Sequence, residues 1–290
     1  MFLFNNKKNL ERCFVLVYIQ QNQCAFPCPR YTTMNNNSTV IAVANQKGGV
    51  GKTTTAVNLS CALALRNKKI LMVDSDPQGN ASTGVGVRAK IRDKHLYHVL
   101  CGSSSSQDVV RKTNVDKLFV IPSNIDLVAA ELELINKKNR EKYLKKALKP
   151  LLEQYDYIVI DCPPSLGLLT VNALTAAHSV LIPMQCEYYA MEGLAQLIST
   201  IRSVKQSFNK QLYIEGLLLT MFDKRNRLSH QVAEEILNHF GDQTFTTRIP
   251  RNVRLSECPS HGKTIMEYDI KSTGALAYRA LALEFLKRQE

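Results

Sequence analysis

The chain has 290 residues, 45% hydrophobic and 21% charged, with 13 Gly, 10 Pro and no Trp. That composition supplies enough apolar material for a large core and excludes collagen-like, low-complexity and globally disordered classes. Lys plus Arg number 37 against 25 Asp plus Glu, a formal charge of +12 that favours a polyanion or an acidic membrane surface as partner without specifying a fold.

Residues 1–33 have no clean helical or strand period. Phe2 to Phe4, Asn5 to Lys8 and Cys13 to Ile19 resemble the charged and apolar parts of an export signal. The apolar stretch is short, however, and runs into Gln20-Gln21-Asn22-Gln23 rather than a small-residue cleavage site. Met34, then a polar run to Ser38, then a strand, reads as a natural beginning. Residues 1–37 are therefore expected to be a disordered or mis-started extension and 38–290 the working domain. Removing the four basic residues and one acidic residue of 1–33 lowers the charge from +12 to +9, so the core stays basic. The eight cysteines are irregularly spaced in a long chain, which points to reduced thiols and a cytoplasmic compartment rather than a disulfide framework. Cys24 and Cys28 lack a second metal-ligating pair, and no run of about eighteen apolar residues exists to span a membrane.

From residue 39 onward short β-branched runs alternate with helix-length amphipathic stretches. Thr39–Ala44, Lys69–Val73, Leu118–Ile121, Tyr157–Ile160, Ser179–Pro183 and Ile214–Met221 read as buried strands. Helices are expected near 53–66, 139–154, 166–178, 190–207, 229–240 and 273–288, with Gly102 to Ser106 as a loop. Such alternation implies right-handed crossovers and an α/β fold: one domain with a mostly parallel twisted sheet and helices on both faces.

The strongest chemical signal is Lys47-Gly48-Gly49-Val50-Gly51-Lys52-Thr53-Thr54, placed after a strand and opening a helix. Glycines let successive backbone N–H groups turn inward around phosphate oxygens, and the helix N-terminus adds a positive dipole end. Lys52 is placed to reach the β- and γ-phosphates and the Thr53 hydroxyl to ligate Mg²⁺. The general pattern G-x-x-x-x-G-K-[ST] would put its first Gly at 46, where this chain has Gln46. Two acidic segments complete the set: Asp74-Ser75-Asp76-Pro77-Gln78-Gly79-Asn80 and Asp161-Cys162-Pro163-Pro164, each after a strand. Carboxylates at the C-terminal ends of parallel strands face the crevice where ligands bind.

Lys47–Thr54 resembles the deviant Walker A motif, K-G-G-x-G-K-[ST], of the ParA/MinD group of P-loop ATPases. Asp74–Asn80 looks like that group's second motif and the segment from Ile158 to Ser165 like its Walker B. Gln185-Cys186-Glu187-Tyr188-Tyr189-Ala190 and the segment from Ile249 to Glu257 are similar to the ParA/Soj chromosome-partitioning branch. The resemblance runs from about residue 38 to near the end.

It implies an Mg²⁺-dependent ATPase with the P-loop NTPase fold, in which ATP joins two copies into a sandwich dimer. Lys47 would reach the nucleotide of the second subunit, Asp76 would position the attacking water, and Asp161 would sit in the outer shell of the metal with Asp74 supporting it. Pro250 and Asn252 match the segment that touches adenine. The branch also implies nonspecific binding of double-stranded DNA through residues such as Arg225 and Arg254, and a ParB-type centromere-binding protein that stimulates hydrolysis. No membrane partner is expected; the location implied is cytoplasmic and nucleoid-associated.

Basic residues do cluster late, at Lys224, Arg225, Arg227, Arg248, Arg251 and Arg254. Phosphate contacts from such a cluster bind DNA without reading bases. Two rivals have their own requirements. A MinD-like, membrane-associated ATPase needs a C-terminal helix with a basic face and a bulky apolar face, but Ala275 to Lys287 is mostly Ala and Leu and reads as a docking helix. A relative of the nitrogenase iron protein needs paired cluster cysteines, and neither Cys101 nor Cys162 has the expected Cys-Gly-Gly context.

Overall fold

A computed structural model describes residues 38–87, 93–187 and 190–290; the expected extension 1–37, and Tyr188 and Tyr189, lie outside them. The strands are β1 (Thr39–Val43), β2 (Ile70–Asp74), β3 (Arg111–Lys112), β4 (Leu118–Ile121), β5 (Tyr157–Asp161), β6 (Ser179–Gln185) and β7 (Tyr213–Thr220). They form one sheet in the order β3-β4-β2-β5-β1-β6-β7. All neighbours are parallel except the two-residue edge strand β3, which pairs antiparallel with β4.

Residues of β5 alternate between two apolar layers. Ile158 and Ile160 join one layer with Leu71 and Leu169, while Tyr157 and Val159 join the other with Met72 and Leu59. A parallel strand covered by helices on both faces must be apolar at every position, which is why β2 and β5 are buried from end to end.

The longer helices are α1 (Lys52–Ala64), α5 (Leu127–Leu134), α7 (Leu168–Ala176), α8 (Ala190–Ser207), α9 (Arg227–Phe240) and α12 (Thr273–Gln289). Short ones are α2 (Asn80–Gly84), α3 (Leu96–Leu100), α4 (Ser106–Val109), α6 (Tyr143–Leu148), α10 (Val253–Glu257) and α11 (Ile265–Tyr268). Of the expected elements, β4 and α8 match residue for residue. The stretch 139–154 is not one helix. Arg140–Lys142 and Lys149–Leu151 are 3-10 turns around α6, and Pro150, which has no N–H to donate, sits in the second. Gly102 to Ser106 is a loop up to Ser105, whose hydroxyl accepts from Asp108 N and starts α4.

The C-terminal helix α12 docks, as its composition implies. Gly274, Ala275, Tyr278, Leu281, Ala282 and Phe285 are buried, Tyr278 OH lies 3.1 Å from Thr55 Oγ1, and Phe285 packs edge-on against Tyr157. Among the described residues no helix is long and apolar enough to cross a membrane. The five cysteines among them are free.

Candidate nucleotide site

Three chain segments leave the same edge of the sheet. In register, Val43 of β1 and Asp74 of β2 both pair with Asp161 of β5, so the loops that follow all start at one level. The loop after β1 is the glycine-rich one. Gly49 and Gly51 have φ of +73° and +85°, which a side-chain-bearing residue rarely adopts, and Gly51 caps α1. The loop thereby runs directly into the start of α1, where an anion is favoured. The loop is braced from outside. Thr220 Oγ1 donates to Val50 O at 2.7 Å, and Asn45 links Pro183 O to Lys47 N. A Cβ on Gly48 would lie 3.9 Å from Pro164, so the loop abuts the segment that follows Asp161.

The two lysines of the loop part company. Lys52 is buried, 6% exposed, and its ammonium donates to Lys47 O at 2.8 Å. Burial lowers its pKa, against the pull of Asp161, Cys162 and Asp76. Lys47 points outward with its side chain 42% exposed, where Nζ pairs with Glu187. One lysine ammonium lies inside the loop; the other stands at the rim.

The acidic residues also divide. Asp74 is fully buried, and both its oxygens are engaged: Oδ1 accepts from Asp76 N, and Oδ2 from the backbone and hydroxyl of Ser82 at 2.7 and 2.6 Å. Burial pushes its pKa up to about 6 despite the Ser82 bonds. Asp161 is equally buried, yet neither carboxylate oxygen has a hydrogen-bond partner. Burial and then the neighbouring Asp74 raise its pKa well above the carboxylate range. The Thr53 hydroxyl stands close enough to favour its charged form without reaching strict hydrogen-bond geometry. Asp76 is 7% exposed, its Oδ1 accepts from Gln78 N, and its carbonyl accepts from Ser123 Oγ.

An unpartnered buried carboxylate beside a helix-starting hydroxyl fits a divalent cation. Among the described residues no group of three or more His, Cys, Asp or Glu is arranged as an all-protein cage. Mg²⁺ does not require one, because it is commonly held by one or two protein groups, phosphate oxygens and water. Thr53 and Asp161 are the residues that would hold it, and the ion supplies neutralising charge at the phosphates when bound. Asp74, expected to support the metal site, directs its oxygens to Ser82 and the Asp76 backbone.

The remaining expected residues fall in two places. Pro250 bridges to Phe222, two residues beyond the Thr220 that braces the loop, so the 249–252 segment lies beside the nucleotide loop. Asn252 caps α10, its Oδ1 accepting from Arg254 N and Leu255 N, and its Nδ2 donates to Thr273. Arg225 and Arg254 are exposed on separate segments. Arg254 is ion-paired with Glu257 at 2.9 Å, whereas Arg225 has no side-chain partner among the described residues. Cys162 is fully buried behind the loop, and burial raises its thiol pKa.

Sequence reasoning missed Ser82, Ser123, Thr220 and Glu187 as supports of this site. None carries a local signal. Ser82 reaches back eight residues to Asp74 from within α2, and Ser123, Thr220 and Glu187 act on residues of distant segments.

Comparison with known proteins agrees with the geometry. A family model described as an AAA domain matches residues 38–214. The chain is 55% identical over 249 residues to the chromosome partitioning protein ParA of Myxococcus xanthus, covering 86% of this chain and 88% of that one. It is 54% identical over 245 residues to the sporulation initiation inhibitor protein Soj of Bacillus subtilis, covering 84% and 97%. Among solved structures it is similar to cobyrinic acid a,c-diamide synthase of Mycobacterium smegmatis with bound ATP analogue and magnesium. That match has 37% identity and a TM-score of 0.75, covering 86% of this chain and 95% of that one. With its nucleotide loop, its aspartates and these identities, the chain belongs to the ParA/Soj family of chromosome-partitioning P-loop ATPases, which hydrolyse ATP with Mg²⁺.

Proposed function

We propose that this protein is a DNA-partitioning switch in which ATP holds two copies together as a sandwich dimer. The dimer binds double-stranded DNA without sequence preference, and a ParB-type centromere-binding protein stimulates hydrolysis and release. On this reading residues 38–290 form the ATPase domain and the protein is cytoplasmic and nucleoid-associated. The observation that supports it most is the opposed placement of the two loop lysines. Lys52 faces inward, while Lys47 stands half-exposed at the rim with only an exposed ion pair to Glu187, a contact worth little in water. An ammonium held that loosely is free to exchange Glu187 for the far stronger field of a triphosphate on a second subunit.

Each residue then has a task. The backbone of Gly48, Gly49, Val50, Gly51 and Thr54 and the Lys52 ammonium cradle the phosphates. Thr53 and Asp161 hold Mg²⁺, the latter through its water shell. Asp74 ties the 74–82 segment down through Ser82, so that Asp76 is fixed at the position from which it orients a water. Pro250 and Asn252 border the base. Arg225 and Arg254 contact DNA phosphates. The docked helix α12 weighs against a MinD-like membrane role, because Tyr278, Leu281 and Phe285 are spent on the core and only Leu276 and Leu283 remain as exposed large apolar side chains.

The test is retention of the full chain on a nonspecific duplex with ATP, with ADP and without nucleotide, beside an anionic-vesicle control. ATP-dependent retention on DNA and none on vesicles is expected, and the reverse pattern would establish the membrane role instead. Arg254→Ala should loosen DNA while ATP binding is intact. Unchanged retention would remove Arg254 from the surface.

A further inference from the structure

A second strongly basic surface lies far from Arg225 and Arg254 in the chain. Residues 137–149 carry seven basic side chains, Lys137, Lys138, Arg140, Lys142, Lys145, Lys146 and Lys149, against one acid, Glu141. That net +6 compares with +9 for the whole chain beyond residue 33. The fold sorts these residues by side. Leu144, Leu148 and Leu151 are buried in the layer that contains Ile158 and Leu169, while Lys137, Lys138, Lys145, Lys146 and Lys149 are exposed.

Four lysines stand at i, i+3, i+4 and i+7, positions 142, 145, 146 and 149. Across α6 and its 3-10 ends they form one row about 10 Å long. Like charges at these spacings destabilise a helix. No ion pair to an acid relieves any of the four among the described residues; Lys146 lies over the Tyr143 ring instead. The row also borders a cleft of about 340 Å³, lined by Lys146 and the hydroxyl-rich Ser104, Ser105 and Ser106. The Ser104 hydroxyl has no hydrogen-bond partner.

An unneutralised row of this kind suits a polyanion with closely spaced charges. Duplex DNA offers one negative charge per about 1.7 Å of axis, so a 10 Å row faces roughly six phosphate charges. A bilayer fits less well. No large apolar side chain is exposed between 137 and 149 to insert. The exposed row Ile125, Val128, Leu132 and Ile135 belongs to the preceding segment, whose nearby charges Asp126, Glu131 and Glu133 are the wrong sign for an anionic surface.

We propose that the Lys142–Lys149 face is a second phosphate-contacting surface for duplex DNA, on the side of the sheet opposite Arg254. The opposition follows from packing, because Leu255, next to Arg254, is buried in the other apolar layer. The proposal rests on the DNA-binding reading above and extends it to a surface that reading does not use.

The experiment measures affinity of the full chain for a nonspecific duplex over a range of salt concentrations, with a non-hydrolysable ATP analogue. The triple variant Lys145→Ala, Lys146→Ala, Lys149→Ala is compared with its Lys→Arg counterpart, both checked by thermal melting. The alanine variant should lower the slope of log affinity against log salt by about 2.7, since each phosphate contact contributes about 0.9. The arginine variant should keep the wild-type slope, and ATP turnover without DNA should be unaltered in both. A wild-type slope in the alanine variant, with wild-type protein bound to DNA, overturns the second surface alone. Wild-type protein that does not bind DNA at all sinks the underlying reading and this surface with it. Loss of binding to anionic vesicles, with DNA affinity unchanged, would overturn it in favour of a lipid contact.

Discussion

The ammonium of Lys52 donates 2.8 Å to the backbone carbonyl of Lys47, five residues earlier in the same loop. This buried lysine thus closes its own loop, giving its charge a hydrogen-bond acceptor. On the proposed reading, phosphate oxygens would replace this carbonyl with stronger, charged acceptors, and the exchange would free the backbone of the residue whose side chain stands at the rim.

Lys52→Ala should therefore abolish nucleotide binding rather than merely slow turnover. Loss of a buried ammonium facing a triphosphate is expected to cost about 3 kcal/mol or more, roughly a hundredfold in affinity. Calorimetric titration with ATP and Mg²⁺ measures it, and wild-type affinity would remove Lys52 from the site.

Asp76→Ala should bind ATP with little change and hydrolyse it on the order of 10²–10⁴ times more slowly, leaving a dimer that stays on DNA. The comparison is phosphate release against DNA retention. Normal hydrolysis by this variant means that another group positions the water.

Gly79 has φ +64°, and a Cβ there would lie 2.8 Å from Ser123 O. Gly79→Ala must strain the turn or push Ser123 aside, at a cost of about 1–3 kcal/mol. Ser123 also donates to the Asp76 carbonyl, so turnover should fall more than ATP affinity does. Melting temperature and steady-state kinetics together check both parts; an unchanged melting temperature would mean the loop yields freely.

Glu215 is buried near the far end of α12, where Tyr213 OH and Gln289 Nε2 donate to it at 3.1 and 2.7 Å. Burial raises its pKa in the folded protein, against those bonds and Arg288. The folded state therefore holds this proton more tightly than the unfolded chain. Its contribution is fully present below the unfolded carboxylate pKa and is lost as pH rises through the folded one. Glu215→Gln should accordingly gain stability relative to wild type as pH rises across that interval. Denaturant unfolding at pH 4 and pH 8 reads the difference, and a pH-independent difference would contradict it.

The short-range features were legible because each is carried by neighbours in sequence. The Lys47–Thr54 glycine pattern needs only its own backbone freedom, and Asp74 and Asp161 end apolar runs of strand length, which sets them at the sheet edge. The same reasoning overextended 139–154, because amphipathic spacing continues through Pro150 although the helix does not. It also passed over α10 and α11, which are too short to show a period.

Sequence alone determined the α/β alternation, the phosphate loop and the acidic residues near it, since these follow from period, glycine content and strand length. Tertiary structure decided what each acid does. Asp74 and Asp161 share burial and register, but only Asp74 meets Ser82, and only Asp161 is left with bare oxygens. It likewise brought Glu187 to Lys47 across 140 residues, and Thr220 to Val50 across 170. A carboxylate's charge and task depend on the donors and dielectric that surround it, and in a crossover-linked parallel sheet those neighbours come from strands and loops distant in the chain.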